Sequence, residues 1–343
     1  MRQIGSIEQR LVTVLSAALC LTCLCRAAGV RVNEKGQIEA HGSDIRVFRG
    51  DVTSPMFGAV SRHGEGVCFA PALPLVAGET YRVELQTGKG DWSTQLLRLE
   101  PSETAVLQVG IAPSPAVLPA NALKVYLHFT QPMEQGVFLE RITLHRQDGS
   151  VVAGAFRETE LWSPDGRRLT LWLHPGRQKT GVNLNLDEGP VLHEGEKHTL
   201  KISGSWRSAA GVPLGKDTSF TLSAGAVDHA CPDPSRWKLF APKAGTRDVL
   251  RVEFDESLDP AMLVSALTVK RGKKRLSGTV QVTPDARSWT FIPPENWSSG
   301  SYTLEIDPLL EDLAGNNLLH PFEVDREQPA PSAKTAQLSF EVR

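Results

Sequence analysis

Cysteine is scarce in this sequence: there are five in 343 residues, and three of them, Cys20, Cys23 and Cys25, crowd into the N-terminus. Cys68 and Cys231 are the remaining two, far apart in the chain, and no C-x-x-C or Cys/His zinc spacing occurs. A disulfide-built scaffold is therefore excluded. The two distant thiols read as unpaired, small apolar residues, with a single bridge in an oxidising compartment as the alternative. Long apolar runs are also missing, apart from Leu11 to Cys25, which at about 15 residues is shorter than the roughly 20 a spanning helix needs. Charge of one sign does not dominate, with 37 Lys and Arg against 39 Asp and Glu, so no nucleic-acid partner is expected on electrostatic grounds. Stretches at helical period are absent beyond a short turn near Pro260 to Leu267, which argues against an α/β enzyme. G-x-S-x-G, H-E-x-x-H and the phosphate-loop pattern do not occur, and no catalytic residue, metal site or cofactor is expected.

What the N-terminus does contain is the three-part layout of a secretory signal over residues 1–28. Arg2 and Arg10 precede the apolar stretch, and Ala27 and Ala28 make a small-residue exit. The expectation is an exported protein, periplasmic or extracellular and associated with the cell envelope, with no membrane span once the signal is cleaved; retention as an anchor is the alternative. Lipidation of a cysteine is disfavoured, because Leu19, Thr22 and Leu24 directly precede the three candidates. Loss of the segment removes Arg2, Arg10, Arg26 and Glu8 and leaves the remainder slightly acidic. Its length calls for two or three domains.

Short apolar or alternating runs, such as Leu123 to Phe129, Arg168 to Leu173 and Lys197 to Ile202, are separated by Gly, Pro, Asp and Asn clusters. That pattern predicts an all-β chain of sandwiches. An internal repeat supports it: Val125 to Phe129 aligns with Leu250 to Phe254, and the same offset places Ile142 to Leu144 on Leu267 to Val269. Further on, Pro164 to Arg167 falls on Pro284 to Arg287, Thr199 to Ile202 on Thr303 to Ile306, and Gly211 with Leu214 on Gly315 with Leu318. Proline and aspartate in the matched turns pre-set the backbone and bond it.

The runs Phe254 to Asp259, Gly300 to Leu304 and Asp312 to Asn316 resemble the bacterial immunoglobulin-like module of S-layer and other extracellular proteins. Leu118 to Asn121 with Leu127 to Met133 matches its opening strand in the first copy, whose closing loop, Ser208 to Leu214, lacks the aspartate. The resemblance implies tandem immunoglobulin-like β-sandwiches at 107–225 and 235–326, followed by a tail at 327–343 in which Leu338, Phe340 and Val342 alternate as a last strand or a disordered end would. Residues 29–106 form an additional N-terminal β-rich domain, in which Phe69 to Pro74 and Gly78 to Val83 echo Phe291 to Pro294 and Gly300 to Leu304, as a degenerate third copy would.

Between Leu173 and Thr199 the first copy is longer than the second by about 16 residues, an insertion at 174–195. Arg177, Lys179, Asn183, Asn185 and His193 are its candidate ligand-binding residues, the two cations suiting an anionic sugar, phosphate or carboxylate. The structural alternative is a solvated hairpin with Asn183 to Asp187 as an edge strand. The acidic loops holding Asp255, Glu256, Asp259, Asp307, Glu311, Asp312 and Asn316 suit calcium, although turn formation explains them equally. Trp206 and Trp289 align with leucines and read as core, whereas Trp92, Trp162 and Trp297 flank turns and are candidates for exposure. The leading expectation is a non-enzymatic envelope or extracellular protein whose sandwiches space and bind protein or glycan. A calcium-rigidified stalk and an exported hydrolase or inhibitor with its site in residues 29–106 are the rivals.

Overall fold

The computed structural model describes residues 29–87, 90–100, 106–179, 181, 183–323 and 336–343. The secretory signal expected over residues 1–28 lies outside them. The chain forms two compact units, residues 1–102 and 103–343.

The first unit contains seven strands: β1 (Val30–Val32), β2 (Ile38–His41), β3 (Asp44–Arg49), β4 (Gly58–His63), β5 (Gly66–Pro71), β6 (Thr80–Gln86) and β7 (Trp92–Arg98). One sheet has the order β1-β2-β5-β4 and the other β3-β6-β7, all antiparallel. Strand alternation sends Ile45 and Val47, Tyr81, Val83 and Leu85, and Val67 and Phe69 to one face, where they form a single core. This is the four-plus-three strand order of a constant-type immunoglobulin domain.

The second unit begins with β8 (Val109–Ala112), β9 (Val117–Pro119), β10 (Lys124–Phe129), β11 (Ile142–His145), β12 (Leu161–Trp162), β13 (Arg168–Trp172), β14 (Lys197–Ile202) and β15 (Thr218–Gly225). Short helices α1 (Phe138–Arg141), α2 (Pro175–Gln178) and α3 (Asn183–Glu188) interrupt them. Sheets β12-β13-β10-β8 and β11-β14-β15-β9 face each other, with β9 parallel to β15. The second sandwich follows with β16 (Lys238–Phe240), β17 (Leu250–Glu253), β18 (Leu267–Arg271), β19 (Lys274–Arg275), β20 (Thr279–Val282), β21 (Ser288–Ile292), β22 (Gly300–Ile306) and β23 (Ala336–Val342), in sheets β16-β17-β21-β20 and β19-β18-β22-β23. Two four-stranded sheets thus build each sandwich of this unit. The chain is all-β, with tandem immunoglobulin-like sandwiches. No helix among the described residues is long and apolar enough to cross a membrane.

A shared detail marks the first unit and the last sandwich as relatives in construction. The Phe69 ring lies over Gly58 and the Phe291 ring over Gly278, so a Cβ on either glycine would sit about 2.5 Å from ring carbons. Only glycine allows that approach, and the ring in turn covers the bare backbone beside it.

Trp206 and Trp289 are fully buried, each in the core of its own sandwich. Trp297, a candidate for exposure, is instead buried, because its indole N–H donates to the Asp248 carbonyl at 2.7 Å and its rings pack on Phe291, Tyr302 and Phe340. Trp162 is half-buried against Phe129 and Trp206. Trp92 does reach the surface, under the Arg46 guanidinium. Cys68 and Cys231 are both free thiols.

Two boundaries differ from expectation. The segment Asn183 to Asp187 is helix α3 rather than an edge strand; Gly189, at φ 71°, and Pro190 end it, and the Asn185 side chain bonds back to the Arg177 carbonyl of α2. The second sandwich also does not stop at 326. Strand β23, assigned from sequence to a tail at 327–343, pairs with β22 from Ala336 to Val342 and buries Phe340 and Val342 in the core.

Candidate functional site

The insertion does not present its predicted residues as one recognition surface. Arg177 is 2 % exposed, and its guanidinium donates to the carbonyls of Gly189 at 2.8 Å, Ala153 at 2.6 Å, and Glu188 and Pro190 at 3.1 Å. With those donors spent on the backbone it closes the loop on itself and is not free to hold an anion. Asn185 belongs to the same internal set. Lys179 sets its ammonium 4.6 Å from the Phe322 ring of the second sandwich. His193 is half-buried and stacks on His198, with centroids 6.4 Å apart. Asn183 alone of the five is fully on the surface. The neighbouring Gln178, also buried, donates to Ala122 and Ala120 carbonyls in the run leading to β10. In the sequence these polar residues look like ligand contacts, because nothing there distinguishes a guanidinium facing solvent from one collecting carbonyls.

What the insertion braces is the junction between the two sandwiches, where the chain's polar residues converge. Leu313, from the closing loop of the second sandwich, inserts its side chain into the core of the first, and its carbonyl accepts from the Leu123 N–H at 2.9 Å. Beside it, Lys124 of β10 reaches Asp259 at 2.9 Å and Glu311 at 2.7 Å, while the Tyr126 hydroxyl donates to the same Asp259 oxygen at 2.6 Å. The other Asp259 oxygen caps the turn that follows, accepting from Ala261 and Met262. Burial alone would lower the Lys124 ammonium, but Asp259 and Glu311 outweigh it and hold its pKa above the ordinary lysine value. Burial and the Asp259 charge push the Tyr126 phenol upward, so it stays a donor.

A second group at the junction is more acidic, and Arg236, itself paired with Asp255 at 2.8 Å, offsets it only in part. Asp228, just after β15, meets Glu256 and Asp312 of the second sandwich with carboxylate oxygens within 4.8 Å of one another. They line an open recess of about 300 Å³ whose apolar wall includes Leu118, Val227 and Leu313. Asn121 fixes the Asp228 backbone through both its amide atoms, at 2.7 and 2.9 Å, and Asn316 adds a third bond at 3.2 Å. Burial, reinforced by Asp312, Asp228 and Asp255, pushes the Glu256 carboxyl up to about 8. Burial and Asp228 raise Asp312 to about 7, against the hydrogen bonds it receives from Asn316 and Ala314. Burial, with Asp312, Glu256 and Asp228, lifts the Cys231 thiol. Glu256 and Asp312 are visible in sequence as loop acids; Asp228, Lys124, Tyr126 and Asn121 carry no local signal, because only the docking of two domains brings them together.

The closing loops also explain the aspartate lost from the first copy. Ser208 occupies the place of Asp312: each makes an isolated bridge, to Met133 after β10 or to Leu258 after β17, and each caps the residue four further on, Val212 or Asn316. The hydroxyl does the capping without a charge.

The fold and this buried junction define a protein of tandem immunoglobulin-like modules. The sequence matches no protein-family model and no curated protein. Solved structures similar to it include an Escherichia coli alpha-2-macroglobulin fragment spanning domains MG0-NIE-MG1, at 14% identity over 59% of this chain and 66% of that one, with a TM-score of 0.24. Chicken CNTN1 domains FN1-FN3 align at 11% identity over 92% and 98% of the two chains, TM-score 0.20, and surface layer protein SbsC domains 4-9 at 10% over 88% and 39%, TM-score 0.21. Superpositions that loose decide nothing about function; the strand order is what places the chain in this fold class.

Proposed function

We propose that this chain is a non-enzymatic, exported protein of the bacterial cell envelope, periplasmic or extracellular, whose modules are spacers that present a protein- or glycan-binding surface at a set angle. The supporting observation is the junction, where Leu313 enters the neighbouring core, Lys124 bonds Asp259 and Glu311 across the interface, and Tyr126 bonds the same Asp259. Such a joint suits a protein that must hold two surfaces in a fixed relation, and catalysis needs no such joint. With Arg177, Lys179 and Asn185 turned inward, the exposed part of the insertion centres on Asn183, Leu186 and Asp187, of which Leu186 is 70 % exposed. Pull-down and glycan-array binding by the mature protein should fall in the triple variant Asn183→Ala, Leu186→Ser, Asp187→Ala. Equal binding by that variant would remove the insertion from the reading, and no binding by either would remove the binding role.

The carboxylate trio favours a second reading, a stalk rigidified by calcium. Asp228, Glu256 and Asp312 offer the hard oxygen donors that calcium prefers, and a divalent ion would supply the charge they lack. On that reading, millimolar calcium raises the melting temperature by roughly 3–8 °C, as ligand binding to the native state alone requires. Glu256→Gln should abolish the calcium shift. Without calcium at pH 8, the same variant should be the more stable protein by roughly 1–3 kcal/mol, since it deletes a charge held near two others. Identical calorimetric traces with calcium and with chelator would dismiss the stalk.

A further inference from the structure

The start of the last strand but one carries a tyrosine in two of the three modules. Tyr81, the second residue of β6, is 1 % exposed, and its hydroxyl accepts from the Val76 N–H at 2.7 Å. Tyr302 is placed alike in β22, 3 % exposed, and donates to the Ser298 carbonyl at 2.9 Å. Each ties its strand to backbone four or five residues upstream, the tyrosine corner of immunoglobulin-like domains. The strand registers confirm the equivalence: Tyr81 lies opposite Leu97 and Tyr302 opposite Phe340, each on the last strand of its module.

In the first sandwich the residue at that position, opposite Leu222 on β15, is His198. It is fully buried, and neither ring nitrogen has a hydrogen-bond partner among the described residues. Five residues upstream, where Tyr81 finds its backbone partner, stands His193, its ring parallel to that of His198 within 10°. A histidine here leaves the corner untied and places an imidazole where the other modules have a hydrogen-bonded phenol.

We propose that His198 makes the first sandwich acid-releasable, its corner holding while the imidazole is neutral and letting go when a proton binds, whereas the two modules with tyrosine corners do not respond. The groups facing His198 set the direction. Burial lowers its pKa most; Glu196, on its own strand approach, works the other way; His193, and Arg146 just after β11, lower it further, and β15 offers only Leu222 opposite. A histidine whose folded-state pKa lies below its unfolded value contributes stability that is complete above about pH 6.5 and is lost as pH falls through the folded value. Release would act on the insertion, because Val191 and Leu192, fully buried, lie just before His193, and Gly189 and Pro190 supply two of the four carbonyls that hold Arg177.

The test compares the full chain and His198→Tyr by calorimetry between pH 7.5 and 5.5. The expected result is a wild-type transition for residues 103–343 that drops by at least 5 °C on acidification, with at least half of that drop removed by the tyrosine. Parallel drops in the two proteins would overturn the proposal. Should His198→Tyr fail to fold, ¹³Cε1-histidine NMR of the wild type decides: a His198 resonance that does not titrate before the domain opens supports the device, and one that titrates like a solvent-exposed histidine near pH 6.5 overturns it.

Discussion

Lys124→Ala is expected to cost about 3–5 kcal/mol and to split the unfolding of the two sandwiches into separate steps. The size follows from what is left behind. Asp259 is 1 % exposed and Lys124 is its compensating charge, so truncation strands a buried carboxylate with one phenol donor and two backbone amides. Glu311, more open to water, loses far less. Tyr126→Phe removes a single bond to a charged acceptor and should cost about 1.5–3 kcal/mol. Asp259→Asn added to Lys124→Met should recover most of the loss, because the amide keeps the turn cap and no charge remains unpaired. Urea unfolding, read as midpoint and slope, separates these outcomes. A midpoint unchanged in Lys124→Ala would mean that water already screens the pair and that Leu313 and the remaining contacts hold the joint without it.

How much of this was legible in the sequence depends on whether a residue's role is local. The aligned runs Val125 to Phe129 and Leu250 to Phe254 became β10 and β17, and the Thr-Leu runs became β14 and β22, because burying alternate side chains imprints a period of two. Trp289 and Trp206 were readable as core for the same reason: an apolar residue in the partner copy marks the position. The insertion failed that test. Asn183 to Asp187 alternates polar and apolar, which fits a strand or one short helical turn, and α3 won because Asn185 and Arg177 satisfy the backbone around it. Arg177 itself looked like a binding residue since cations are seldom buried; here carbonyls from two segments replace its water. The junction was the least legible part, as Asp228 is separated from Glu256 and Asp312 by whole strands of a different domain.

Ending the chain at Arg326, the limit its repeat suggests, should leave the second sandwich unfolded. The described part lost is β23, which bonds to β22 over its full length, from Gly300 opposite Val342 to Ile306 opposite Ala336. Phe340 stacks on Tyr302 at 5.5 Å and meets Trp297 at 6.4 Å, and Val342 is fully buried. Removing a buried phenylalanine costs about 3–5 kcal/mol, and a buried valine adds about 1.5–3. Seven residues of ladder go with them and leave the edge of β22 bare. That sum rivals the roughly 5–15 kcal/mol by which a domain is stable at all. Damage would spread, since Leu313 and Asp259 hold the first sandwich from a domain no longer folded. Tryptophan emission should shift to the red as Trp289 and Trp297 meet water, and adding the peptide of residues 336–343 in excess should reverse the shift. A shortened chain that keeps a cooperative transition and blue emission would show that β23 adds an edge without completing the core.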